Sequence, residues 1–147
     1  MKIEFDRYFI DTNVFIYHTI EKFGFFNQAD SVIQQIISGG LEGFISIQVI
    51  NEYFSISTNP KNIEKPFSVN DACENIESYC SFLSVLPNTD RYLEILRVCR
   101  THKIKHKQIF DLNIYLTMKQ NGLLKIITAN EDDFKMFKDI EIINPFK

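Results

Sequence analysis

The sequence predicts an α/β protein whose central sheet is mostly parallel and contains four to five short strands. Three observations support this fold class. Short apolar segments alternate along the chain with longer segments of helical character. Residues 27–38 place apolar side chains at spacings of three and four, which is the period of a helix with one buried face. Residues 123–128, LLKIIT, form the kind of apolar run expected of a buried strand.

Five segments are short and apolar enough to be strands. The first ends at Ile10, where an acid follows the apolar run, and the second lies in the motif FISI after Gly43. The third precedes a proline turn, the fourth is LLKIIT, and the fifth precedes the closing INPF. The predicted strands are residues 7–10, 43–47, 84–86, 123–128 and 139–143.

Helices are predicted between these strands, several with a residue that begins or ends them. Gly39 and Gly40 stop the second helix, Ser68 opens the fourth, and Thr89 or Asp90 is expected to cap the fifth. An Asn-Gly pair follows the last helix. The first helix begins at about residue 12, and the others are predicted at about residues 27–38, 48–56, 69–79, 90–101 and 107–120.

The composition is that of one globular domain, residues 1–147. The chain has 147 residues, 45% hydrophobic and 24% charged, and its net charge of -3 gives no overall basic signature of a nucleic-acid-coating protein. No run approaches the ~18 apolar residues of a membrane span, and no secretory signal opens the chain. We therefore expect a cytoplasmic protein without a membrane partner, in which Cys73, Cys80 and Cys99 are reduced core thiols.

Acidic residues follow or flank the predicted strands at four places. Asp11 comes directly after the first strand, Glu52 lies in a largely apolar helix, and Asp111 lies near the start of a helix with almost no polar face. ITANEDDF places Asn130 and three acids just beyond the LLKIIT strand. Each acid has an ordinary explanation as a helix cap, a solvated surface residue, a helix-dipole partner or a surface turn. Because parallel strands end at one edge, we expect Asp11 and Asn130 to lie on the same side.

Taken together, the acids indicate a metal site. Carboxylates brought close together raise one another's pKa values, a cost that a hard divalent cation compensates. Mg²⁺ and Mn²⁺ prefer such oxygen ligands. A cation held there lowers the pKa of a bound water and stabilises the charge on a phosphodiester, so the fitting reaction is hydrolysis of an RNA or DNA backbone.

The motifs FIDTNVF, NEYF, FDLNIYLTM, IITANEDDF and INPF, in this order, resemble a PIN domain over essentially the whole chain. DTN after the first strand is moderately specific alone, and the set is strong. The resemblance implies a three-layer α/β/α sandwich and a Mg²⁺- or Mn²⁺-dependent endoribonuclease similar to the VapC-type toxins of toxin–antitoxin pairs. The partners it implies are an RNA substrate, a small antitoxin protein and a second copy of the chain in a homodimer.

The resemblance also implies roles for individual residues. Asp11, Glu52 and Asp111 become catalytic, metal-binding acids. The residues expected to order the site are Thr12, Asn13 and Thr128.

One position departs from the family pattern. Where many family members carry a fourth acid, this chain has Asn130, whose carbonyl can still coordinate or hydrogen-bond but carries no charge. Asn130 and Asp133, three residues later, are both candidates to complete the catalytic site, with Asp133 as the charged metal ligand, and Asp132 is the lesser candidate. A three-acid site is expected to hold metal more weakly than a four-acid site.

The one clear basic run, RVCRTHKIKHK, leads into the helix that carries Asp111. It is either a solvated helix end, where cations are favoured, or a set of phosphate contacts beside the metal site. In the second case the RNA-binding residues are Arg97, Arg100, Lys103, Lys105 and Lys107.

Two other functions stay open from the sequence. Asn130 and the net acidic charge suit a non-catalytic PIN-like module that binds RNA or protein. The carboxylates also suit a metal-dependent nuclease or phosphohydrolase with a different substrate, because they do not distinguish RNA from DNA or from small phosphate esters. RNA is favoured by the family resemblance alone.

Overall fold

The computed structural model describes residues 6–147. Within that range, five strands form one sheet in the order β3-β2-β1-β4-β5, and every neighbouring pair is parallel. Six helices flank the sheet, which confirms the predicted PIN-like α/β/α fold class. The strands are β1 (Arg7–Ile10), β2 (Glu42–Ser46), β3 (Ser84–Leu86), β4 (Lys125–Ile127) and β5 (Glu141–Ile143).

The helices fall close to their predicted positions. Asp11 and Ser68 cap the first and fourth helices with their side chains, and Gly122, at a φ of +69°, turns the chain after the last helix. The predicted cap of the fifth helix is wrong. That helix follows Arg91 with no side-chain cap bond, and Thr89 lies further upstream. The helices are α1 (Thr12–Thr19), α2 (Phe26–Ile37), α3 (Ile47–Ser57), α4 (Val69–Cys80), α5 (Tyr92–His102) and α6 (Gln108–Gln120).

The core lies on both faces of the central strands. Phe9 and Ile10 are consecutive residues of β1 and thus point to opposite faces, yet both are 0% exposed. Ile126 and Ile127 of β4 are buried in the same way. Burial on both faces explains why these strands are continuous apolar runs without polar alternation.

The register of the sheet brings two polar segments to one edge. Ile10 of β1 pairs with Ile127 of β4, and the backbone N–H of Asp11 donates to the carbonyl of Ile127 at 3.0 Å. Asp11 is the residue after β1, and Thr128 is the residue after β4. The two residues therefore lie side by side at the carboxyl edge of the sheet. Position 11 lies 117 residues from position 128 in sequence, so only the parallel pairing joins them.

The cysteines are less buried than the sequence suggested. Cys73 is exposed, Cys80 and Cys99 are half-buried, and all three are free thiols. Cys73 lies in α4, where Ala72 is the only residue that the helix buries fully, so the surface side of this helix carries the thiol. The prediction of core thiols is wrong for Cys73.

Over residues 6–147, no helix has both the length and the apolar character needed to cross a membrane.

Candidate metal centre at the carboxyl edge of the sheet

Asp11 lies at the centre of a network of hydrogen bonds. Its Oδ1 accepts from the backbone N–H of Thr12 at 2.8 Å, which caps α1. Its Oδ2 accepts from the Thr128 hydroxyl at 2.7 Å and from the Asn13 amide at 3.2 Å. The residue is only 6% exposed. Its carboxylate is therefore held in one orientation at the end of β1.

Asn13 and Thr128 also fasten the chain that follows β4. The Asn13 amide donates to the Thr128 hydroxyl at 3.3 Å, and its Oδ1 accepts from the backbone N–H of Ala129 at 3.1 Å. The Thr128 hydroxyl accepts in addition from the backbone N–H of Asn130 at 3.0 Å. These bonds place the turn that carries the last acids directly beside Asp11.

Glu52 approaches the same edge from α3. The Thr12 hydroxyl donates to its Oε2 at 2.7 Å, and the Gln48 amide donates to its Oε1 at 2.8 Å. The same Gln48 amide donates to the backbone carbonyl of Phe110 at 3.0 Å. Gln48 is buried and thus ties Glu52 to the first turn of α6.

Asp111 lies in that first turn of α6 and is half-buried. Its pKa is raised from 3.8 to about 7, mostly by burial and then, in decreasing order, by the charges of Asp133, Asp11 and Glu52. Burial likewise raises the pKa of Asp11 to about 6, against the hydrogen bonds from Thr128 and Thr12, with Glu52 and Asp133 adding to the rise. The charges of Glu52 and Asp133 therefore act on both Asp11 and Asp111.

The three candidates to complete the metal site beside Asp11, Glu52 and Asp111 have different surroundings. Asp133 raises the pKa values of both Asp11 and Asp111, so its charge reaches the site. Asp132 is exposed and forms a 2.6 Å ion pair with Lys135, which lowers its pKa. Asn130 is exposed and contributes a backbone N–H to Thr128.

The chemistry of these residues fits a hard divalent cation. All four acids offer oxygen ligands, and no lysine or arginine of the described residues is among the groups that shift the pKa of Asp11 or Asp111. In residues 6–147, however, no three Asp, Glu, His or Cys side chains are already placed to hold a metal ion. The carboxylates of Asp11 and Glu52 are engaged by hydrogen-bond donors of the protein, and the metal ligands remain a prediction.

The residues of the basic run have different surroundings. Lys107 lines an open cleft that Glu52 also lines. Arg97 is paired with Glu94 within α5. Arg100, Lys103 and Lys105 are exposed. Their contacts with RNA remain a prediction.

Sequence reasoning missed the amides around Glu52. Gln48 precedes Glu52 by four positions, a spacing at which helical side chains meet, so this pair was visible in the sequence. Asn88 was not, because it reaches α3 from the turn after β3, where its Oδ1 accepts from the backbone N–H of Gln48 at 3.0 Å.

Several solved structures share this fold. A chain of the VapBC2 complex from Rickettsia felis, bound to a promoter DNA fragment, superposes with a TM-score of 0.65 at 15% identity, covering 94% of this chain and 98% of that one. A chain of DNA-bound VapBC from Salmonella typhimurium superposes with a TM-score of 0.65 at 19% identity, covering 97% of this chain and 99% of that one. A chain of a toxin–antitoxin complex from Klebsiella pneumoniae superposes with a TM-score of 0.63 at 17% identity, covering 95% of this chain and 98% of that one.

Sequence comparison gives the family. No curated protein matches the chain in sequence. The PIN domain family matches residues 8–140, which include every residue of the acidic site. The chain therefore belongs to the PIN domain family.

Proposed function

We propose that the chain is a divalent-metal-dependent endoribonuclease that hydrolyses RNA phosphodiester bonds. The observation that carries the proposal is the acidic site itself. Asp11 and Asp111 have pKa values raised to about 6 and about 7 by burial and by neighbouring carboxylates. Such a concentration of poorly solvated negative charge favours binding of Mg²⁺ or Mn²⁺. Membership of the PIN domain family supports the choice of a nuclease.

The residues that would hold the cation are Asp11, Glu52, Asp111 and Asp133. A cation bound there supplies charge stabilisation at the phosphodiester and an acidified water. The protein supplies orientation. Thr128 fixes one oxygen of Asp11, and Thr12 fixes one oxygen of Glu52. Asp111, with a pKa of about 7, would hold a cation in its deprotonated form and would release its proton on binding.

The test compares RNA with DNA of the same sequence. The unaltered chain and the Asp11→Asn variant are incubated with end-labelled single strands in Mg²⁺, Mn²⁺ or EDTA. The proposal expects internal cleavage of RNA by the unaltered chain alone, and only with metal. Cleavage in EDTA, or equal cleavage by Asp11→Asn, would overturn it. Equal cleavage of DNA would show a nuclease with a different substrate.

A role as a toxin with a small antitoxin partner extends the proposal. It is supported by the likeness to chains of VapBC and toxin–antitoxin complexes, two of them DNA-bound. Expression in a bacterial host is expected to arrest growth for the unaltered chain and not for Asp11→Asn. A short upstream reading frame that encodes a small DNA-binding protein is expected to restore growth, and gel filtration of the chain is expected to show a homodimer.

A second candidate is a PIN-like module that binds RNA or protein without cleaving it. Asn130 favours it, because an uncharged, exposed side chain stands where many family members carry an acid. This candidate expects no metal binding by calorimetry and retained RNA affinity.

A further inference from the structure

An open cleft of about 760 Å³ lies along Glu52 between α3 and α6. This volume is in the range of sites that enclose small ligands. Its walls carry a high proportion of amides, together with one exposed aromatic ring and one cation. The residues that matter here are Gln48, Asn51, Asn88, Lys107, Phe110 and Asn113.

Phe110 is the aromatic residue of this cleft, which Ile56 and Ile109 also line. It is 55% exposed although it lies one position before Asp111, in a helix that is otherwise largely buried. Exposed aromatic rings in nucleic-acid-binding grooves stack on unpaired bases, because every base offers a π face. The Gln48 amide holds the Phe110 carbonyl and the Glu52 carboxylate at once, so the backbone that carries the ring has a fixed place relative to Glu52.

Asn113 is the amide with an unmet bonding capacity. Its Oδ1 is buried without a hydrogen-bond partner, one of two such side-chain atoms found in the described residues. An unpaired buried oxygen is unfavourable, and such atoms in native structures call for an explanation. Because that oxygen has no partner in the protein, a ligand that offers a donor would satisfy it once the amide turns toward the cleft that Asn113 lines.

The other amides have different duties. Gln48 and Asn88 are committed to the protein, since one bonds Glu52 and the other caps the backbone N–H of Gln48. Asn51 is exposed on the wall of the cleft. Lys107 adds a positive charge to the lining of the cleft and precedes Asp111 by four positions in sequence.

We propose that this cleft seats an unpaired base of the RNA strand next to the scissile bond. The base stacks on Phe110, its edge bonds Asn113, and Lys107 contacts the adjoining phosphate. Hydrogen bonding to a base edge gives sequence preference, and stacking gives affinity that tolerates any base. The inference rests on the proposed function, because it names how that same site selects its substrate.

The test measures binding in the Asp11→Asn background with Mg²⁺, using short single-stranded RNAs that carry one 2-aminopurine, and four homopolymers. Phe110→Ala is expected to weaken binding about tenfold and to abolish the fluorescence quenching that stacking causes, whereas Phe110→Tyr retains both. The matched control is Phe23→Ala, since Phe23 is also partly exposed, at 40%, and lies beyond the far end of α1. Its affinity is expected to stay within about twofold.

Asn113→Leu tests the proposed hydrogen bond between Asn113 and the edge of the base. The substitution removes an unpaired buried oxygen, so the melting temperature of the variant is expected to equal or exceed that of the unaltered chain. Its preference among the four homopolymers is expected to fall toward equality, an effect that a purely structural role would not produce. Unchanged affinity, quenching and base preference in both variants, with RNA cleavage intact in the unaltered chain, would overturn this inference alone. If the unaltered chain neither binds nor cleaves RNA, the proposed function fails, and this inference with it.

Discussion

Gln48 holds Glu52 in place through a 2.8 Å hydrogen bond from its amide to Oε1, and the same amide reaches the carbonyl of Phe110 at 3.0 Å. One side chain thus fixes the distance between α3 and the start of α6, which carry two of the four acids. Groups that orient metal ligands in this way affect metal affinity and activity without touching the metal themselves.

Replacement of this amide tests its positioning role. Gln48→Met keeps the length of the side chain and removes the donor, so we expect a 10- to 100-fold loss of RNA cleavage or metal affinity, on the order reported for such supporting groups. The measurement is cleavage rate against Mg²⁺ concentration. Gln34→Met is the matched control, because Gln34 makes the same kind of bond to Asp30, four positions away, on the exposed side of α2. Equal losses in the two variants would contradict the role.

Thr128 provides a second test, because its hydroxyl is the shortest contact of Asp11. Thr128→Val keeps the shape and removes the bonds to Asp11, Asn13 and Asn130. We expect the free energy of unfolding to fall by about 1–3 kcal/mol, since buried partners lose their bonds. The pKa of Asp11 should rise further, because this bond lowers it. Thr128→Ser is expected to restore both the free energy of unfolding and the pKa of Asp11. Denaturant titration measures the first quantity, and NMR of the carboxyl carbons measures the second. If Thr128→Val matches the unaltered chain in both, the Thr128 hydroxyl does not hold Asp11 as described.

The pH dependence of stability follows from the same two acids. Asp11 and Asp111 have pKa values of about 6 and about 7 in the folded protein, against 3.8 for an ordinary aspartate. The folded state therefore binds these protons more tightly than the unfolded state. The free energy of unfolding of the metal-free protein should be highest near pH 4 and should fall as pH rises to about 7. Asp11 alone accounts for about 3 kcal/mol of this fall.

Asp11→Asn isolates that contribution. The variant cannot ionise at this position, so it should be more stable than the unaltered chain at pH 8, by about 1–3 kcal/mol, while losing activity. The stability difference should shrink toward pH 4. Asp132→Asn is the control, because Asp132 is exposed and its pKa is lowered by Lys135. Urea unfolding at several pH values measures the difference in the free energy of unfolding. If this difference between Asp11→Asn and the unaltered chain does not change with pH, ionisation of buried Asp11 does not destabilise the folded protein, and the prediction is wrong.

Three variants identify the residue that completes the metal site beside Asp11, Glu52 and Asp111. Asp133→Asn is expected to weaken Mn²⁺ binding, since its charge reaches Asp11 and Asp111, whereas Asp132→Asn should leave it unchanged. Asn130→Asp should strengthen binding, because it adds an acid at the edge beside Thr128. Competition with a fluorescent chelator gives the three affinities. Weaker binding in Asp132→Asn than in Asp133→Asn would reverse the assignment.

Much of the fold was predictable because local patterns decide it. Both faces of β1 and β4 are buried, so these strands appear in the sequence as continuous apolar runs, and polar residues that follow them meet at one edge of a parallel sheet. Asp11 and Thr128 are therefore neighbours that the sequence could foretell. The start of α5 could not be predicted in this way, because Thr89, one of its two expected caps, instead donates its backbone N–H to the hydroxyl of Thr117 in α6.

The surroundings of the acids depend on packing, and the sequence did not reveal them. Gln48 bonds the carbonyl of Phe110, 62 positions away, only because α3 and α6 meet at the site. The unpaired oxygen of Asn113 arises in the same way, since burial without a partner is a property of the assembled helices. Neither feature leaves a local pattern that a periodicity or a motif would display.

The central claim is that Asp11, Glu52, Asp111 and Asp133 form one divalent-cation site, and calorimetric titration with Mn²⁺ tests it most directly. Since Asp11 and Asp111 have pKa values of about 6 and about 7, binding at pH 6.5 should release about one proton, read from buffers of different ionisation enthalpy. At pH 8 the release should approach zero, and Asp111→Asn should bind far more weakly at both pH values. Absence of Mn²⁺ binding, or equal affinity in the unaltered chain and Asp111→Asn, would contradict the account.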